Sequence, residues 1–407
     1  MGINIRLWLK YYQSKIMNSI AFYPAIIVLA FLALSIFSIS FDFSEMGMQI
    51  KSHLQVLRLR DATTARSIIS SITSGIITLT VFSFSMVMIV LNQTASQLSN
   101  RILDRLIGSR FQQLVLGIYV GTIIYSLLLL STIRDIDKGV QIPALSTYLL
   151  IALTIFDIFI FIYFLHFITQ SVKYEVIIQR VLEETMTSLK HACTLEQAPP
   201  EIPSFESYCL IIAAKSGIYQ GFDNAVLMRI CHENDCVLQL MQSPGSYVLV
   251  GGPVMKVNKK LASDILKAIG KEVYIEGSES IKENFFFGFR QLTEIALKAL
   301  SPGINDPGTA IESMRALFQL YTYRLHFYPE NTIKDKESQV VIIVKELTFD
   351  QIFTETIYPI WDYGKEDRLM QNELHHLLEI FLTIAPEAKI AWPLLKKVKL
   401  KLNDSAH

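Results

Sequence analysis

The chain has 407 residues, of which 51% are hydrophobic, and its 37 lysines and arginines balance its 37 aspartates and glutamates. A balanced charge excludes the broad basic surface that proteins use to bind nucleic acid, so we expect no nucleic-acid partner. The length and the high apolar content leave room for a membrane region and for one or two soluble domains.

Four apolar stretches predict a transmembrane domain over residues 1–170. The spans cover residues 20–39, 67–91, 114–133 and 144–168, and each is long enough to cross the hydrocarbon core of a bilayer. Asp61 is a predicted N-cap for the second span. In the third span, Gly117 and Gly121 have the spacing at which two helix backbones can touch. Residues 1–15 mix basic and aromatic side chains, which is typical of an interfacial segment.

Flanking charges and cysteines predict the orientation of this domain. Nine lysines and arginines flank the spans on the side of the N-terminus, against six in the two opposite loops. Basic residues favour the cytoplasmic side of a membrane. The four cysteines follow the last span without the spacing of a disulfide scaffold, as expected of reduced thiols. We therefore predict a multi-pass protein of the cell inner membrane, embedded in the lipid bilayer with cytoplasmic N- and C-termini.

Polar side chains recur along one face of the second span, and we call this set the polar stripe. Its candidate pore-lining or cavity-lining residues are Ser67, Ser71, Ser74, Thr78, Ser85 and Asn92. The residues that recur at every seventh position are Ser71, Thr78, Ser85, Asn92 and Ser99, and Ser67 and Ser74 lie near the same face. Small hydroxyl residues also let helices pack closely and bond to their own backbone. The sequence leaves both interpretations open, helix packing and the lining of a water-filled path.

Asp157 is the acid inside the four predicted spans, and it lies near the middle of the fourth. A carboxylate at this depth costs about 3 kcal/mol on insertion scales, so it needs a partner or water. We predict that Asp157 either faces a hydrated cavity with the hydroxyls of the second span or is held neutral by them. His166, nine residues later, is placed on the same helical face as a candidate relay partner.

The remaining residues predict a soluble region. A helical connector with a Pro-rich linker covers residues 171–203, an α+β subdomain residues 204–284, and a mainly helical subdomain residues 285–407. Predicted strands are residues 208–214, 237–241, 247–250, 272–275 and 340–344. Predicted helices cover residues 264–269 and the segment from the N-cap Asp223 to Cys231. The fold class is a membrane all-α domain of four transmembrane helices plus a C-terminal soluble α+β domain.

Residues 299–307 predict a corner between two helices. Ser-Pro-Gly ends the first helix, and Asn305 and Asp306, followed by proline, start the second with a capping carboxylate. Arg290, Glu294 and Lys298 lie four residues apart on the incoming helix and can pair with one another or with Asp306. We interpret the motif as a structural polar network, with a ligand or subunit contact as the alternative.

Several motifs carry a family resemblance. They are ARSI at residues 65–68, FSFS at 82–85 and SQLS at 96–99, then RQL at 290–292 and ALSPGINDP at 299–307. These motifs resemble the bacterial membrane family called domain of unknown function 2254, DUF2254. The resemblance extends from the first span to about residue 363. It implies four spans and a cytosolic domain, and it implies no established activity.

No group of residues predicts a catalytic centre. Cys231, His232 and Cys236 lie close together but lack the second pair of ligands that a zinc site requires. We predict no metal, no cofactor and no catalytic residue, so an enzyme ranks third. The leading hypothesis is a homo-oligomeric inner-membrane protein, channel-like or transporting an ion or small solute, with a cytosolic regulatory domain. The competing class is a membrane-anchored sensor or scaffold whose soluble domain binds a ligand or partner.

Overall fold

The computed structural model describes residues 21–53, 61–97, 110–133, 142–200, 205, 209–276, 280–282, 284–335 and 339–404. The predicted interfacial segment at residues 1–15 and Ser99 of the seven-residue repeat lie outside these ranges. The described residues divide into two compact units: the first contains those up to Lys173 except Gln97, and the second contains Gln97 and those from Tyr174 onward. We call them the membrane unit and the soluble unit.

The membrane unit is helical. Its helices are α1 (Phe22–Asp42), α2 (Glu45–His53), α3 (Ala62–Gln97), α4 (Arg110–Thr132) and α5 (Ala144–Ser171). Four of them, α1, α3, α4 and α5, are long and apolar enough to cross a membrane. The helix α3 begins before its apolar run because Asp61 caps it, accepting a hydrogen bond from the Thr64 backbone amide at 2.9 Å.

Two glycines bring α1 and α4 into close contact. A Cβ atom added at Gly117 would lie 3.0 Å from the Cα of Pro24, and one added at Gly121 would lie 2.6 Å from the Phe31 ring. No larger side chain fits at either position without a shift of α1. The glycine spacing therefore predicts this helix contact correctly.

A polar network at one end of the membrane unit joins three of its spans. Asp42, at the end of α1, is buried and accepts a hydrogen bond from the Ser146 backbone amide in the first turn of α5 at 2.7 Å. The Tyr125 hydroxyl of α4 lies 3.1 Å from the Ser146 carbonyl oxygen and 2.9 Å from the Ser38 hydroxyl. Asp42 thus supplies α5 with a capping carboxylate from another span, a role that our sequence analysis missed.

The soluble unit combines helices with three small sheets. Its helices are α6 (Tyr174–Ala192), α7 (Asn224–Asn234), α8 (Ser263–Lys271), α9 (Phe286–Ala299), α10 (Pro307–His326), α11 (Phe349–Gly364), α12 (Arg368–Ile384) and α13 (Ala391–Asp404). Its strands are β1 (Cys193–Leu195), β2 (Cys209–Ile212), β3 (Gly217–Phe222), β4 (Leu238–Leu240), β5 (Tyr247–Val248), β6 (Pro253–Val257), β7 (Val273–Glu276), β8 (Tyr328–Pro329), β9 (Thr332–Lys334) and β10 (Val340–Ile343).

The largest sheet has the strand order β2-β6-β4-β10-β9. Its pairs are antiparallel except for β10 and β4, which are parallel, with Ile342 opposite Leu238. The other sheets have the orders β5-β3-β7 and β1-β8. Helices and sheets together confirm the mixed character predicted for the C-terminal region.

The described part of the soluble unit has an aliphatic core in its sheets and an aromatic core among its helices. Buried aliphatic side chains of the sheets pack with α7 and α8 around Leu227, Leu238 and Ile269. The helical part has an aromatic core, in which the Tyr321 ring lies between 5.1 and 6.5 Å from the rings of Phe289, Phe353 and Phe381. Aromatic pairs at these distances add to the free energy of burial.

Candidate functional site

The polar stripe lies on the side of α3 that faces away from the other described spans. Its six residues Ser67, Ser71, Ser74, Thr78, Ser85 and Asn92 are all exposed. The opposite side of α3 is buried, where Ala65, Ile69 and Ile76 pack against α4 and α5. Hydroxyls occur on both sides of α3, since Thr73 and Ser83 are buried, but lipid offers the outward row no hydrogen-bond partners.

Two hydroxyls of the stripe bond to their own helix. Thr78 donates to the Ser74 carbonyl oxygen at 2.9 Å, and Ser85 donates to the Val81 carbonyl oxygen at 2.8 Å. Their protons are therefore satisfied, while their oxygens can still accept hydrogen bonds. The same exposed side also carries apolar residues, including Phe82 and Ile89. The stripe is thus a row of acceptors between apolar ridges.

Asp157 is fully buried inside the membrane unit and does not lie beside the polar stripe. Within the described residues, neither of its carboxyl oxygens has a hydrogen-bond partner. The polar groups that interact with it are Thr122 and Tyr119 of α4, and Ser83 of α3 adjoins Tyr119. An ionised carboxylate enclosed in this way would lack a counter-charge.

The placement of His166 on the face of Asp157 is wrong. Nine residues turn an α-helix through about 900°, which leaves the two side chains half a turn apart. The structure agrees, since Asp157 is buried and His166 is exposed. A direct relay between them along α5 therefore has no geometric support.

Residues 299–307 form the predicted corner between α9 and α10. Asp306 is the N-cap of α10 and accepts hydrogen bonds from the Thr309 backbone amide at 3.2 Å and the Thr309 hydroxyl at 2.6 Å. Pro307 occupies the first turn, and Asn305 adopts the left-handed conformation with φ 50°. Arg290 and Glu294 are half-buried on α9. The geometry accounts for the motif as a chain reversal.

This corner lies beside the first residue of the connector helix α6. Burial raises the pKa of the Tyr174 hydroxyl, and the negative charge of Asp306 raises it further. Tyr174 follows the end of the last span, Ser171, by only three residues. The corner therefore supports the segment through which the chain enters the soluble unit.

We expect Asp306→Ala to destabilise the soluble unit by about 0.5 to 2 kcal/mol, because α10 loses its N-cap. Thermal unfolding of the full chain in micelles measures the change. Asp362→Ala, an exposed position inside α11, is the matched control and should leave the midpoint nearly unchanged. If Asp306→Ala and Asp362→Ala unfolded at the same midpoint temperature, residues 299–307 would serve a purpose other than capping α10.

The soluble unit contains a cavity of about 540 Å³ that sequence reasoning missed, and we call it the Arg324 cavity. Arg324 is 3% exposed and lines it together with Glu346 and Tyr328. A second cavity of about 360 Å³ shares Pro329 and Glu346 with the first. Both volumes fall in or near the range of small-molecule sites.

Arg324 and Glu346 give the Arg324 cavity its electrostatic character. The guanidinium donates to the carbonyl oxygens of Phe327 at 3.2 Å and Leu347 at 3.0 Å, and its Nε has no partner among the described residues. Burial raises the pKa of the Glu346 carboxyl to about 7, although the positive charge of Arg324 lowers it. A carboxyl that titrates near neutrality in a cavity marks a candidate functional site.

The cysteines predicted to be reduced are free thiols in the structure. Cys231 and Cys236 are buried and close together, and the hydrogen bond between them raises the pKa of the Cys231 thiol and lowers that of Cys236. Within the described ranges no group of three or more His, Cys, Asp or Glu residues could hold a metal ion.

Comparison with known proteins identifies the family. The family described as predicted membrane protein, DUF2254, matches residues 17–379. Uncharacterised proteins of Mycobacterium bovis and Mycobacterium tuberculosis are 26% identical in an alignment of 329 residues that covers 77% of this chain. The match covers 63% of the length of these relatives. No solved structure matches the chain. The motifs, the four apolar helices and the extent of the family match lead to one conclusion: the chain belongs to the DUF2254 family of membrane proteins.

Proposed function

We propose that several copies of this protein assemble in the membrane so that their polar stripes line an aqueous path for an ion or small solute. The single observation that carries the proposal is the exposure of all six stripe residues on the side of α3 away from its own bundle. A hydroxyl face turned toward lipid gains no hydrogen bonds, whereas a ring of subunits places one stripe from each copy around a shared axis.

The interior of a single membrane unit offers a poorer path. It contains a cavity of about 210 Å³ between α3 and α4, and most of its lining is apolar. The polar groups that reach this cavity include Ser83 and Tyr119, and both are buried. A path between copies therefore suits a hydrated solute better than a path through one bundle.

In this proposal the soluble unit lies in the cytoplasm and regulates the path. The four free cysteines support a cytoplasmic location of this unit, because thiols stay reduced in the cytoplasm. The connector helix α6 begins three residues after the last span ends, so a change in the soluble unit has a short covalent route to α5.

Cysteine accessibility tests the aqueous path. We expect Ser71→Cys, Thr78→Cys and Ser85→Cys to react with small hydrophilic thiol reagents in the membrane-embedded oligomer. Ile77→Cys and Phe84→Cys are the matched controls. Both side chains are exposed in the single subunit, but they point at least a quarter of a helical turn away from Thr78. They should face lipid and react slowly.

The outcome separates the two classes of function. Protection at all five positions in a folded oligomer would mean that the stripe is a packing surface between copies. The second candidate function, a membrane-anchored sensor or scaffold, would then lead. The Arg324 cavity favours that candidate independently, because it gives the soluble unit a place for a ligand.

A further inference from the structure

The Arg324 cavity holds a buried positive charge that interacts with the acidic Glu346 of the same wall but forms no direct ion pair with a described carboxylate. Arg324 is anchored by two backbone carbonyls, and no described carboxylate forms an ion pair with it. Tyr328 covers it with its ring, whose centroid lies 5.7 Å from the guanidinium carbon. A buried cation without a paired anion is costly, so a bound anion would stabilise this arrangement.

The rest of the wall selects the kind of anion. Leu240, Ile343 and Phe349 contribute buried apolar surface to the cavity. Apolar walls with a few convergent polar groups are typical of sites for small organic molecules. The acidic Glu346 in the same wall disfavours a multiply charged ligand such as phosphate.

We propose that the Arg324 cavity binds a small organic monocarboxylate, with the Arg324 guanidinium as its counter-charge and Glu346 beside it. The backbone contacts use one N–H on Nη1 and one on Nη2, so the Nε–H and one N–H on each Nη atom remain for the ligand. A protonated Glu346 donates its O–H to the second carboxylate oxygen of the ligand, whereas an ionised Glu346 repels it. The apolar body of the ligand packs on Phe349 and its neighbours.

The cavity also adjoins the chain segment that comes from the membrane unit. Ala198 and Pro199 of the linker after α6 line the wall, and the Asn331 amide donates to the Pro200 carbonyl oxygen at 2.9 Å. A ligand here would contact this linker directly. Ligand binding here would give the proposed regulation a chemical signal, and in that respect the inference rests on the proposed function. Binding itself does not depend on any flux through the membrane.

Other titratable groups must be considered before a pH effect is assigned to Glu346. Those that line the two cavities or interact with Glu346 are Arg324, Cys193, Tyr219, Tyr328, Lys345, His191 and Glu330. Burial raises the pKa of the Cys193 thiol to about 11 and also raises the pKa of the Tyr219 hydroxyl, so both stay protonated between pH 6 and 8. An imidazole can change charge in this range, so His191 needs its own control.

Binding of benzoate to the full chain in micelles, followed by calorimetry, tests the proposal. We expect saturable binding with a Kd of about 1 mM or tighter, and weak or no binding of the neutral isostere benzamide. Benzoate affinity should fall about tenfold from pH 6 to pH 8, because the protonated fraction of Glu346 falls from about nine tenths to one tenth. Benzoate stays ionised throughout, so its own titration does not contribute.

Two variants and a control for each identify the residues responsible. Glu346→Gln should bind benzoate with less than a twofold change between pH 6 and 8, whereas His191→Gln should keep the tenfold change. Arg324→Gln should weaken benzoate binding at least tenfold. Arg315→Gln is its control, because Arg315 is an exposed arginine paired with Glu312 and Glu373, and it should leave the affinity unchanged. If Arg324→Gln fails to fold, the Glu346→Gln result still decides the matter.

Several results would overturn the proposal. These are equal affinities for benzoate and benzamide, tighter binding of inorganic phosphate than of benzoate, a pH effect that survives in Glu346→Gln, or no binding of either organic probe. None of them depends on the accessibility of Ser71, Thr78 and Ser85. Failure of this site and failure of the aqueous path are therefore distinguishable.

Discussion

Asp42→Ala should lower the free energy of unfolding of the membrane unit by about 2 to 3 kcal/mol. The substitution removes the carboxylate that caps α5 at the Ser146 amide, 2.7 Å away. Loss of an N-cap costs about 0.5 to 2 kcal/mol, and a buried N–H left without a partner costs about 1 to 3 kcal/mol. The N-cap cost and the cost of the unpaired N–H are not added in full, because both count the loss of the same hydrogen bond. The effect is large because water cannot replace the carboxylate at this buried position.

Unfolding of the purified full chain by titration with sodium dodecyl sulfate measures this loss. Asp42→Asn is the matched variant, because its amide oxygen can still accept from Ser146 while the charge is gone. We expect it to lose less than half as much stability as Asp42→Ala. Equal losses in both variants would show that charge, and not the capping bond, gives Asp42 its importance.

Gly288→Ala should cost the soluble unit about 3 kcal/mol or more. A Cβ at this position in α9 would overlap the Thr185 hydroxyl of α6 and lie 2.7 Å from both Cβ and Cγ2 of Thr185. Thr185 is fully buried and bonds to the Val181 carbonyl oxygen, so it has no room to move aside. Overpacking of a buried contact usually costs about 1 to 3 kcal/mol, and this overlap is deeper than a typical one.

A steric swap gives the sharpest test of this explanation. Thr185→Gly alone should destabilise α6, since glycine in a helix costs about 1 kcal/mol relative to alanine and the threonine contacts are lost as well. Combined with Gly288→Ala, it should recover most of the stability, as the added methyl then occupies the vacated space. Thermal unfolding of the wild type, both single variants and the double variant completes the cycle. Additive losses would exclude a direct clash.

Local signals in the sequence predicted local structure well. Asp61, Asp223 and Asp306 are N-caps, as expected, because a cap and its partner lie within three residues of each other. Each apolar span was also found, since a bilayer imposes its length on a continuous stretch of residues. Local patterns could not predict the role of Asp42, because its partner Ser146 lies 104 residues away in the sequence.

Several strands were predicted from their apolar runs, and others were missed because they contain residues typical of turns. The apolar strands β2 and β10 lie within the predicted ranges. Neither β3 nor β6 was predicted, because both contain residues that are typical of turns. Strand β3 begins with Gly217 and has Gly221 near its end, and β6 begins with Pro253. Tertiary pairing with β7, and with β2 and β4, overrides these local preferences.

The Arg324 cavity was out of reach for the same reason as Asp42. It forms where the linker, the end of α10, the segment after β10 and the start of α11 converge, and no motif joins them. The position of Arg324 gave no signal either, because it lies in the last turn of α10, where basic residues are common.

The parallel pairing of β4 with β10 determines when the soluble unit can fold during translation. Leu238 leaves the ribosome about 100 residues before its neighbour Ile342. Until then β4 is a sheet edge with unpaired backbone groups, and such an edge recruits other chains. A nascent chain that stalls or is truncated before Ile343 therefore leaves this edge exposed. Premature termination in this interval should yield aggregates instead of a smaller working protein.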